Sequence, residues 1–230
     1  MENILKILDR LNEVYVKRRT ILIFLIIQNT ILSLIMLIFV NVIVSNGVIN
    51  GELDYSQIRL FYNTAVVLLF IIVLILAPIF LARSLNDLYK KNIIEHLLAV
   101  KIDISEIVYA VYFRGLITLI IVLVSAFPII VISFYFGGFG LLKIFKLLGM
   151  LLSFAVLYSA VCIFISTRFI DGNVSALVSY LAGAVLTLIN IYFLNYILNG
   201  SFLIIVYVVF NIVLSLVLVS VSRKTSLFYA

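Results

Sequence analysis

Six stretches of this sequence run for about 20 residues or more without a single Asp or Glu, long enough for a helix to cross the roughly 30 Å hydrocarbon core of a bilayer. They cover about 20–44, 61–82, 107–136, 144–166, 174–197 and 202–221. The basic residues that touch them, Arg114 and Lys146, fall within about two turns of an end, where a long side chain reaches the interface at little cost. The expected fold class is therefore all-α, an integral membrane protein with six transmembrane helices forming one domain over 1–230.

Composition limits what else the chain can hold. It is 66% hydrophobic and 11% charged, against about 25% charged in soluble proteins. The polar remainder is too small for a soluble catalytic or nucleotide-binding domain of about 50 residues. No glycine is followed by lysine, so no G-x-x-x-x-G-K-[ST] phosphate loop occurs. A single cysteine, Cys162, excludes an internal disulfide, and a single histidine, His96, argues against a zinc site, which takes three or four protein ligands. No paired catalytic carboxylates and no nucleophile with its base stand at bilayer depth. No catalytic residue, metal ligand or cofactor site is expected, and the chain reads as a non-enzyme. Nor is a cleaved signal peptide, since the first apolar run is far longer than a signal core of about 7–15 residues.

The net charge of +6 sits at the ends of the apolar runs, which argues against a nucleic-acid partner. Twelve Lys and Arg fall on the side of the N-terminal segment, the second and fourth connections and the tail; three, Arg59, Lys143 and Lys146, fall on the other. Positive charge stays in the cytoplasm, so both termini are expected inside a bacterial cytoplasmic membrane. Tyr55, Phe61, Tyr62, Phe134, Tyr135, Tyr192, Phe193 and Phe202 would form the aromatic belt at the opposite interface.

Two polar segments carry helical patterns of their own. In 1–19, Ile4, Leu5, Ile7, Leu8, Leu11, Val14 and Tyr15 share one face, which predicts an amphipathic helix lying in the interface, as a membrane anchor or as an elbow that positions span one. Between spans two and three, Ile93, Ile94, Leu97, Leu98 and Val100 recur at helical spacing over a stretch too short to cross, and Asp103 with Glu106 is a helix-start signal. A short cytoplasmic helix is expected over 92–101, its apolar face buried by head groups, by the protein or by a docked subunit.

The run from Asn92 to Val108, with Glu95, Leu97-Leu98, Ile104-Ser105 and Glu106-Ile107, resembles the stretch between spans two and three of ABC type 2 exporter permeases, the transmembrane subunits of ATP-binding-cassette exporters. The elbow, the six spans and the absence of an ATP-binding domain extend the likeness over the whole chain. The resemblance implies that the short helix is a coupling helix, with Ile93, Ile94, Glu95, His96, Leu97, Leu98 and Val100 meeting a separate ATPase. It also implies two ATPase subunits, which bind ATP and Mg, under two permeases, this chain paired with itself or with a sibling. Three departures stand out: the Gly-Thr that often precedes the Leu-Leu is replaced by Asn92-Ile93-Ile94, the Pro that often precedes the Ile-Ser is missing from Lys101-Ile102-Asp103, and the connection between spans five and six, about 198–201, leaves little room for the family's re-entrant helices.

Within the spans, Ser175, Ser179, Gly183 and Thr187 recur every four residues, giving span five one face of small side chains on which another helix can pack closely. The neighbour is either another span or a second copy of the chain, and the resemblance favours the dimer interface. Gln28, Asn29, Thr30, Ser33 and Asn63 are among the most polar groups in the runs; they read either as interhelical hydrogen-bonding groups or as a weakly polar substrate path. With no carboxylate at depth, proton coupling is disfavoured. The expected function is export of an amphipathic or hydrophobic substrate, a peptide or lipid-like molecule, and the nearest named group by likeness is the exporters of phenol-soluble modulins and antimicrobial peptides. Two alternatives remain open at this stage, a substrate-capturing subunit of an uptake system and a toxin-immunity membrane protein.

Overall fold

The computed structural model describes residues 18–50, 55–90, 103–135, 140–169, 171–199 and 201–226. The amphipathic segment at 3–16 and the coupling-like helix at 92–101, with Ile93, Ile94, Glu95, His96, Leu97, Leu98 and Val100, lie outside the described residues. The regular structure among the described residues is helical: α1 (Arg18–Asn50), α2 (Tyr55–Ala77), a π-helical turn (Pro78–Ala82), α3 (Arg83–Lys90), α4 (Ile104–Tyr135), α5 (Leu141–Ser166), α6 (Gly172–Asn199) and α7 (Ser201–Ser226).

Six segments are long and apolar enough to cross a membrane: Ile21–Ser45, Asn63–Ala82, Ile104–Val131, Leu142–Ser166, Gly172–Phe193 and Phe202–Ser222. They make the chain a multi-pass membrane protein. The helices overrun the apolar runs because a hydrogen-bond ladder, once nucleated, continues into polar sequence until a break signal intervenes. α4 opens where Asp103 and Glu106 signal it, three residues before the apolar run, with the Asp103 carbonyl accepting from the amides of Glu106 at 2.9 Å and Ile107 at 3.3 Å. α6 is helical to Asn199 and α7 from Ser201, the two pack on each other, and no separate re-entrant helix lies between them among the described residues.

The bundle is built around α5. α2, α4, α7 and α6 each pack on it, and each packs on the next, so four spans ring a central fifth. α1 lies outside the ring, against α2 and α4. The cause is in the side chains. α5 carries Gly149, Ser153, Ala155, Ser159, Ala160, Cys162 and Ser166, small residues distributed around the helix that let neighbours approach from several sides. Its large residues fill the space between them: Phe154 and Tyr158 are fully buried, and Phe154 meets Phe70 of α2 edge-on with 5.0 Å between ring centroids. On α6 the faces divide the same way. Leu177, Leu181, Val185 and Leu188 point outward and are exposed, while Ser175, Ser179, Gly183 and Thr187 point in and are buried. Large apolar side chains outward and small ones inward is the pattern of a helix solvated by lipid.

Candidate functional site

The most unusual backbone in the bundle is at the end of the second span. Pro78 has no N–H, so it cannot donate to the carbonyl of Leu74, and its ring crowds that carbonyl. From Pro78 the chain takes a wide turn through Ala82, closed by a bond from the Arg83 amide to the Pro78 carbonyl, before α3 resumes the α-helical ladder. In a bilayer a carbonyl released in this way has no water to turn to and must find a donor in the protein.

Neighbouring spans supply those donors. The Tyr158 hydroxyl of α5 is shared between the Leu74 carbonyl at 3.3 Å and the Ser179 carbonyl of α6 at 3.0 Å. Tyr180 of α6 donates to the Ile75 carbonyl at 3.2 Å. Past the turn, Ser166 at the end of α5 donates to the Ala82 carbonyl at 2.9 Å and lies 3.3 Å from the Asn86 Oδ1 of α3. Three hydroxyls from α5 and α6 thus bracket the interrupted segment at both ends.

Two glycines let the bracket close. A side chain at Gly183 would collide with the Tyr158 ring and with Leu74, and one at Gly115 of α4 would collide with Leu81 of the wide turn. Small residues facing the break from α4 and α6 bring those helices into contact with it. Asn86 completes the lower end: it is 1% exposed, its amide nitrogen has no hydrogen-bond partner among the described residues, and Gly172 at the start of α6 packs on its side chain. Chemically the site is a set of neutral hydroxyls and amides. It holds backbone carbonyls of the interrupted segment. Among the described residues no three His, Cys, Asp or Glu side chains come together as metal ligands.

The small-residue face of α6 belongs to this site. Its neighbours are α5 and α2 of the same chain, because the space left by the missing Gly183 side chain is filled by Tyr158 and Leu74. Of the two neighbours left open for Ser175, Ser179, Gly183 and Thr187, another span of the same chain is the one that meets the face at Gly183. The hydroxyls of Ser175 and Thr187 are buried and have no hydrogen-bond partner among the described residues.

The five polar residues singled out in spans one and two differ in their surroundings. Gln28 is buried and donates to the Val122 carbonyl of α4 at 3.0 Å. Asn29 is half-buried; Thr30, Ser33 and Asn63 are exposed, and Thr30 turns back on the Ile26 carbonyl of its own helix at 2.8 Å. Successive residues on a helix are about 100° apart, so Gln28, Asn29 and Thr30 point in different directions from α1. Of the two readings, interhelical hydrogen bonding describes Gln28.

Sequence reasoning passed over Pro78, Tyr158, Ser166 and Tyr180. A signal was present: a proline inside an apolar run needs a replacement donor, and Tyr158 and Ser166 are hydroxyls about two turns apart on one face of the next-but-one span. Compared with protein-family models, with curated proteins and with solved structures, the chain matches none.

Proposed function

We propose that this chain is the transmembrane permease subunit of an ABC exporter in a bacterial cytoplasmic membrane, with both termini inside. It moves an amphipathic or hydrophobic substrate, a peptide or lipid-like molecule, and takes its energy from two separate ATPase subunits that carry ATP and Mg. The observation that carries the reading is the position of the break at Pro78. It lies one short helix, α3, ahead of the run from Asn92 to Val108 that resembles a coupling helix. A push on that run would be passed through α3 to the one place in span two where the backbone ladder is interrupted. The bracket of hydroxyls then has two arrangements available, carbonyls held or carbonyls released, and hinges of this kind are common at wide turns and prolines.

The cytoplasmic placement of α3 follows from the twelve-to-three distribution of Lys and Arg. At that end Arg168 lies over the Phe164 ring at 5.2 Å, as interfacial cations do. A second permease copy completes the exporter, this chain again or a sibling. With the inward face of α6 occupied, α1 is the span with the most surface left for that contact.

The test is affinity purification of the tagged protein in mild detergent, with identification of co-purifying chains and an ATPase assay. The expected result is a stoichiometric ATP-binding-cassette partner with vanadate-sensitive hydrolysis, lost on the triple substitution Glu95→Ala, Leu97→Ala and Leu98→Ala. A solitary protein without hydrolysis would overturn the reading. Specific ligand binding would then favour a substrate-capturing subunit, and protection from a toxin would favour an immunity protein.

A further inference from the structure

Two polar residues of α1, Thr30 and Asn41, stand on the surface that the bundle leaves open. Ile23, Ile27, Thr30, Leu34, Leu37 and Asn41 follow one another at alternating intervals of four and three residues. All six are exposed, the apolar ones by 48–63%. A repeat of about 3.5 residues is the seam of a left-handed helix pair. The seam points away from the protein: Asn41 lies nine residues, about two and a half turns, from buried Leu32, and so on the opposite side of the helix.

The apolar members of the seam name no occupant, because lipid tails solvate leucine as well as protein does. Asn41 does name one. Gln28, Asn190 and Asn211 are amides within the spans that turn inward and are buried in the bundle, as polar groups in a bilayer usually do. Asn41 turns outward. It lies four residues, about 6 Å, inside the outer end of the crossing segment Ile21–Ser45, on a side chain too short to carry the amide past that end. Hydrocarbon gives an amide neither donor nor acceptor.

We propose that α1 pairs in parallel with α1 of a second copy of this chain, Asn41 facing Asn41 across the twofold axis. Copies inserted the same way meet through the same surface, so a residue on the axis faces itself at equal depth. A carboxamide is complementary to itself there, since it both donates and accepts. Ile27, Leu34 and Asn41 take the a positions of the heptad and Ile23, Thr30 and Leu37 the d positions. A single asparagine at a is a device that fixes register and strand number in coiled coils. Thr30 makes no competing demand, because its hydroxyl is satisfied by the Ile26 carbonyl of its own helix. The pairing belongs to the membrane: dilution in detergent separates the copies, and this face then meets detergent alone. The proposal names the surface for the second copy that the exporter reading calls for, and it rests on the six-span architecture rather than on the ATPase.

The test is disulfide cross-linking of the full-length protein in phosphatidylethanolamine and phosphatidylglycerol vesicles. Cys162→Ala removes the native thiol, and copper phenanthroline is the oxidant. Leu34→Cys and Leu37→Cys lie on the seam. Ile31→Cys and Val42→Cys are exposed on α1 beside it, and Leu181→Cys of α6 and Leu216→Cys of α7 report chance encounters. The expected result is covalent dimer at the two seam positions several-fold above all four others. Asn41→Leu, combined with Leu34→Cys, lowers the dimer roughly fivefold, and Asn41→Gln, which keeps the carboxamide, retains most of it. Equal dimer on and beside the seam, or dimer indifferent to Asn41→Leu, would overturn the proposal. So would a maximum at Leu181 or Leu216, which would give the contact to another face. Failure here and failure of the exporter reading are distinguishable: seam dimers form in vesicles without any ATPase, and an ATPase that co-purifies with a chain cross-linked elsewhere overturns only the pairing through α1.

Discussion

The first and fourth spans, α1 and α5, are drawn from the same apolar residues and are equally suited to cross a bilayer, yet one is the hub of the protein and the other its periphery. Of the residues in the crossing window, 67% are buried in α5 and 11% in α1. The difference lies in how small and polar residues are distributed. α5 places serines, alanines and Cys162 on several faces, and its hydroxyls reach carbonyls on other helices. α1 presents Leu and Ile around most of its circumference and is docked through buried Leu32 and Ile43 and the Gln28 bond to α4. Lipid tails are as apolar as leucine, so a large apolar side chain gains little by leaving lipid for protein. Close packing and hydrogen bonds decide position, and α5 has both.

Substitutions at the two spans should separate in size. The largest effect is expected from Gly183→Leu, which forces bulk into the place of Tyr158 and Leu74 and should cost about 3 kcal/mol of stability, read as a lowered melting temperature in detergent. A native melting temperature would show that α6 does not clasp the break. Tyr158→Phe leaves the Leu74 carbonyl without its donor and should cost about 1.5 kcal/mol. In a double-mutant cycle, Pro78→Ala restores a backbone N–H for that carbonyl and should remove about half of the Tyr158→Phe cost; strictly additive effects would mean that the hydroxyl does not serve the proline gap. Ser166→Ala should cost about 1 kcal/mol by freeing the Ala82 carbonyl. On α1, Gln28→Leu should cost about 0.6 kcal/mol, because Val122 keeps the Ser125 hydroxyl at 2.8 Å, and the loss should show as faster protease release of α1 rather than as a shift in global melting. Least of all, Leu37→Ala on the lipid face should stay within about 0.5 kcal/mol of the native protein. A large effect there would mean that the outer face of α1 has a protein partner.

Much of this was legible in the residues. The number of spans, their approximate limits, the start of α4 at Asp103 and Glu106, and the close-packing face of α6 each follow from a local signal. The partner of that face was not legible, because a small-residue stripe specifies close approach and not what approaches. The surroundings of Gln28 to Ser33 were not legible for the opposite reason: adjacency in sequence scatters residues around a helix. The bracket at Pro78 joins Leu74, Tyr158 and Ser179, which are distant along the chain, and no local pattern relates them until α5 is known to lie between α2 and α6.

By itself, then, the sequence determined that this protein lives in a membrane and crosses it with six helices, since an apolar run of that length has no other inexpensive place to be and its backbone satisfies itself only as helix. The tertiary structure alone decided that the fourth span is the centre, that the first stands outside, and that hydroxyls of α5 and α6 complete the broken ladder of α2. These depend on which helices approach within hydrogen-bonding distance, and in lipid that choice is made by shape and by the few polar groups in each span rather than by hydrophobicity.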